Sequence, residues 1–132
     1  MTDTRPDLRV SLKTAFEAEQ ARRDAERRER EDAERRQQEE DLARAEALER
    51  LLGEDPGFLQ SKGLVLDRRR YTVTLDHADF RLAAYFEGGR ASVRAADKRT
   101  AISGAAPRKE TMVDSVEDAV LVMAQYLADE GV

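Results

Sequence analysis

The sequence predicts an α+β protein: a long charged amino-terminal helix, single or weakly coiled, then a small antiparallel sheet of three to five strands covered by one carboxy-terminal helix. Three observations point there. Residues 17–44 contain neither Gly nor Pro and hardly anything apolar beyond alanine. From Tyr71 to Ala95 apolar and polar residues largely alternate, the period of a half-buried strand. From Val116 to Leu127 apolar residues recur at helical spacing. The corresponding division is a helical rod over 1–55 and a small α+β domain over 56–132.

In the rod, an acid precedes an arginine by four residues at Glu19/Arg23, Asp24/Arg28, Glu26/Arg30, Glu31/Arg35, Asp32/Arg36, Glu40/Arg44 and Glu46/Arg50. That order is the favourable one on a helix surface, worth roughly 0.2–0.5 kcal/mol per pair. One helix over 7–52 is expected, with Pro6 suited to its first turn and Gly53 and Pro56 ending it. Its ends are apolar: Leu8, Leu12, Ala15 and Phe16 at one, Leu42, Ala45, Leu48, Leu51 and Leu52 at the other. The alanines between them, Ala18, Ala21, Ala25 and Ala33, cannot make a good heptad seam. Three readings stay open. The rod is a solvated single helix with fraying ends; or it self-associates, most simply as an antiparallel pair that sets the Leu8/Leu12/Phe16 patch of one chain on the Leu42/Leu48/Leu52 patch of another; or its first third is disordered.

After Pro56 the period changes. Leu64–Leu66 follows Gly63 as a leading strand, and Tyr71, Val73 and Leu75 alternate with Thr72 and Thr74 as a second. Phe80, Leu82, Ala84 and Phe86 alternate with Arg81, Ala83, Tyr85 and Glu87, and Ala91, Val93 and Ala95 with Ser92 and Arg94. Gly88-Gly89 between these two runs is a hairpin signal. A further edge is expected near Thr100–Ser103, before a loop at Gly104–Pro107. Ser115 is a plausible cap for the last helix, with Glu117 and Asp118 favourably placed in its first turn. Leu121 and Val122 widen its apolar arc, which fits either a deeply nestled helix or an oligomer contact.

Composition narrows the function. With no cysteine, disulfides, thiolate metal sites and cysteine nucleophiles are excluded. No apolar stretch approaches the ~20 residues of a membrane span, and Met1–Asp7 lacks the apolar region of a secretory signal. A cytosolic location is therefore expected. The many arginines and alanines suit a GC-rich bacterial genome. No phosphate-binding glycine motif is present, and the single histidine, His77, lies with Asp76 and Asp79 in a polar turn between strands rather than beside a marked nucleophile. Neither an enzymatic activity, a cofactor, a metal nor a small-molecule substrate is expected.

Charge is divided along the chain: −5 over 1–56, +6 over 57–109 and −6 over 110–132. Arg81 and Arg94 are expected on the open sheet face with Thr72, Thr74 and Tyr85, a basic face carrying an aromatic as in some single-strand binders. Against nucleic acid, residues 57–132 are neutral and the rod is acidic. The preferred expectation is a non-enzymatic adaptor or assembly protein, a helical spacer joined to a protein-interaction domain, working as a homo-oligomer. Its protein partner would be acidic, drawn by Arg68, Arg69 and Arg70 beside an edge strand. The alternative is a nucleic-acid-binding or regulatory accessory protein using the basic face.

Overall fold

Helix α1 spans Leu12–Leu52, 41 residues. It belongs to a computed structural model that describes residues 11–99 and 108–132. The fold is α+β, and the chain divides into two units, Met1–Arg36 and Gln37–Val132. In the first unit α1 starts where Ser11 Oγ accepts the Thr14 amide at 3.1 Å. This is a hydroxyl cap at the entry of the described helix; Pro6, expected in the first turn, lies outside the described residues. Leu8 and residues 7–10 of the expected helix lie outside the described residues.

The first unit is held by its own charges. Arg22 bridges Glu26 at 2.6 Å, Arg23 meets Glu19 at 3.1 Å, and Arg27 meets Asp24 at 2.7 Å. Glu19 with Arg22 and Asp32 with Arg35 pair as well. Of the seven expected spacings, Glu19/Arg23 alone closes among the described residues; several arginines instead reach back three positions. Neighbours at three and four residues lie about equally close on a helix, so the forked guanidinium can choose either. Hydrogen bonds from Arg22 and then Arg23 hold Glu19 down at about 2. No apolar side chain of residues 12–36 is covered: Leu12 is 86% and Phe16 61% exposed.

The second unit contains the rest of α1, a short helix α2 (Pro56–Ser61), five strands and helix α3 (Val116–Glu130). The strands are β1 (Val65–Arg69), β2 (Thr72–Asp76), β3 (Phe80–Glu87), β4 (Arg90–Asp97) and β5 (Arg108–Val113). They form one antiparallel meander in sequence order, with β1 and β5 at the edges. The expected Leu64–Leu66 strand is shifted by one and continues through Arg68 and Arg69, while Leu64 is tied to α2 by its amide on Leu59 O at 2.9 Å. The fifth strand is Arg108–Val113; the edge expected at Thr100–Ser103 lies outside the described residues.

Register follows from alternation. Val73, Leu75, Leu82, Ala84, Phe86, Ala91, Val93 and Val113 point to one face and are buried there. Ala119, Val122 and Met123 of α3 cover that face, Ser115 capping the helix by accepting the Asp118 amide. Ala45 and Leu48 of α1 join the same core, both 0% exposed. The sheet is therefore covered by two helices. The stripe expected to dock on another chain belongs, at Leu48, to this core, because a leucine row at helical spacing reads the same whether its cover is its own sheet or a partner.

One polar contact fixes α1 to the β3–β4 hairpin. The buried Asp41 carboxylate accepts the amides of Gly88 (2.9 Å) and Gly89 (3.2 Å), together with Gln37 Nε2 and an Arg44 guanidinium nitrogen. Gly88 and Gly89 both have positive φ, as a two-residue turn with this twist requires. Arg44 lies over the Phe86 ring, 5.6 Å from its centre. Burial raises the Asp41 pKa, but the bonds from Arg44, Gln37, Gly89 and Gly88 outweigh it and leave the group below its ordinary value.

Candidate functional site

Three surfaces of the second unit bear on function, and the open sheet face is the first. Cross-strand register places Asp67, Thr74, Ala83, Arg94 and Glu110 in one row, Arg69, Thr72, Tyr85, Ser92 and Met112 in the next, and Asp76 and Arg81 opposite each other. Arg81, Tyr85 and Arg94 thus share a face with Thr72 and Thr74, as the alternation implies. Their charges are already matched. Arg81 Nε bonds Asp76 at 3.0 Å, which Lys98 also bonds at 2.9 Å, and Arg94 pairs with Glu110 while lying 4.5 Å over the Tyr85 ring. Lys98 and then Arg81 hold the Asp76 pKa below its usual value.

Arg68, Arg69 and Arg70 do not act as one cluster. Arg68 sits on the inner face, in register with Val73, and its Nε bonds Glu49 of α1 at 2.8 Å. Arg69 is on the open face and Arg70 occupies the β1–β2 turn with φ of 52°. Period two separates neighbours in a strand, so a run of three arginines cannot present three charges on one side. His77 is likewise used locally. It stacks on Phe80 at 4.5 Å, and its Nδ1 accepts the Asp79 amide at 3.0 Å.

The remaining surface is an apolar groove of about 470 Å³. Leu51 and Leu52 of α1, Phe58 and Leu59 of α2, and Val120, Met123 and Leu127 of α3 line it, with Leu75 at its base. Phe58 is 46% exposed there, and Leu51 is also exposed. Asp55 builds the near wall by capping α2: its carboxylate accepts the Phe58 amide at 3.0 Å and Pro56 starts the helix. Glu54, Asp55 and Lys62 are its charged members. The expected end patch is thus dispersed: Leu48 is core, Leu42 is half-buried, and Leu52, packed against the core, lines the groove with Leu51.

No family model, curated protein or solved structure matches this chain. Function therefore rests on these surfaces alone. Among the described residues, no helix is long and apolar enough to cross a membrane, and no three His, Cys, Asp or Glu side chains are grouped to hold a metal. The groove is the feature that sequence reading missed. Its one local signal was Asp-Pro at 55–56, the pairing of a cap with a first-turn proline, which announces a new helix as well as the end of the old one.

Proposed function

We propose that this chain is a non-enzymatic adaptor or assembly protein, in which the charged helix is a spacer and the α+β unit makes the specific protein contact. The open groove carries the reading. An exposed phenylalanine beside leucines from three helices suits the apolar anchors of a bound peptide or helix. Residues 12–36 support the spacer role. They bury nothing apolar, balance eight basic against eight acidic side chains, and extend about 37 Å at 1.5 Å per residue. The working form in this reading is a homo-oligomer in the cytosol.

The open face favours a protein partner over nucleic acid. Arg81 and Arg94 would have to leave Asp76 and Glu110 to reach phosphates, and both carboxylates would remain to repel them. An anisotropy titration of the full chain with single- and double-stranded DNA and RNA at physiological salt tests the choice. Binding no tighter than the ~10⁻⁴–10⁻⁶ M of non-specific association is expected. Submicromolar binding lost in an Arg81→Glu/Arg94→Glu variant would overturn the adaptor reading.

A further inference from the structure

Among the described residues, α1 carries an exposed apolar patch at Leu12 and Phe16, and an apolar groove lies open beside Phe58. Leu12 and Phe16 are one helical turn apart on α1, and nothing in the described residues buries either. The groove offers Leu51, Phe58 and Leu127, a set suited to anchors spaced by four residues, with the buried Met123 behind them. Ala124 and Ala128 also line it, also four apart on α3, and leave room for a helix backbone to approach. The charges agree with that pairing. Residues 8–16 carry Arg9 and Lys13 and no acid, and the charged members of the groove are Glu54 and Asp55 against Lys62, an excess of one acid. A basic segment meeting this small acidic excess adds selectivity to apolar contact.

We propose that Leu12 and Phe16 of one copy occupy the Leu51–Phe58–Leu127 groove of a second copy, and reciprocally, so that the chain assembles as a two-fold pair. The inference rests on the adaptor reading, whose assembled form it specifies. Two-fold exchange uses each contact twice, which lets two small anchors hold a pair that one could not. It also accounts for the exposure of both surfaces in the single chain. The earlier expectation of a Leu48 contact is replaced, since Leu48 is inside the core.

Light scattering of the full chain across concentrations should give twice the 14.9 kDa chain mass, dissociating on dilution. Leu12→Asp/Phe16→Asp should weaken the pair at least about tenfold, because two carboxylates would be buried without partners. Its thermal midpoint, read on the dissociated chain, should stay at the parent's value, both positions being exposed. As the chain lacks cysteine, a trap gives the position directly. Phe16→Cys chains mixed with Phe58→Cys chains should oxidise to a disulfide-linked heterodimer far faster than Phe16→Cys mixed with Arg90→Cys. A parent that stays monomeric, a pair indifferent to the double variant, or equal trapping at Phe58 and Arg90 would overturn the inference. A monomeric parent would also remove the homo-oligomer from the proposed function, but the adaptor role itself fails instead on tight, Arg81- and Arg94-dependent nucleic-acid binding.

Discussion

At the scale of a residue, Asp41 shows how a charged rod is made part of a folded unit. Its carboxylate takes four donors, two from its own helix and two from the Gly88–Gly89 turn, in a site only 3% exposed. Asp41→Asn keeps the shape but offers one acceptor oxygen where two are used, and leaves Arg44 without its opposite charge. A loss of about 2–3 kcal/mol near neutral pH is expected in urea unfolding. The pH dependence has a definite sign. The folded-state pKa is lowered, so the contribution is complete above the unfolded value of about 3.9 and fades as pH falls through the folded value. Stability of the parent should therefore drop in acid, and the variant's acid limb should be shallower. Asp76 and Asp97 are lowered too and will keep part of the slope. An unchanged slope in Asp41→Asn would remove Asp41 from the account.

At the scale of an element, the carboxy-terminal end of α1 belongs to the sheet domain. Leu48→Ala should cost about 2–5 kcal/mol, the range for a leucine deleted from a closed core. For the same reason residues 37–132 should unfold cooperatively in calorimetry, whereas 57–132, lacking Asp41, Ala45 and Leu48, should show no cooperative transition. A cooperative 57–132 would contradict the assignment of α1 to the core. Elements with strong local signals were legible in the sequence: the Gly88–Gly89 hairpin, the alternating β2, β3 and β4, and α3 with its Ser115 cap. β5 was not, since Thr111 and Val113 are its only inward residues besides Lys109, too few to mark a period. Nor was the fate of the leucine stripe, because periodicity shows that a face is covered and not what covers it. Arg68 was misplaced for want of one step: counting by twos from Leu66 puts it on the inner face, where Glu49 meets it.

At the scale of the whole molecule, charged and apolar surface are distributed differently. Eight basic and eight acidic side chains balance along residues 12–36, and Arg81 and Arg94 of the open face meet Asp76 and Glu110, so neither surface presents a large field of one sign. Among the described residues, open apolar surface includes the groove at Phe58, where leucines of three helices meet. The site was legible only in part: Arg81, Tyr85 and Arg94 share the expected face, but their carboxylate partners come from register that one-dimensional reading does not supply. The central claim is that this chain works by holding another polypeptide in that groove. Placing the photo-cross-linker p-benzoylphenylalanine at position 58 of the full chain, in the cells that make it, tests this most directly. Irradiation should attach a polypeptide, either a second copy through its Leu12–Phe16 region or another protein. An adduct to nucleic acid alone, or none, would contradict the account.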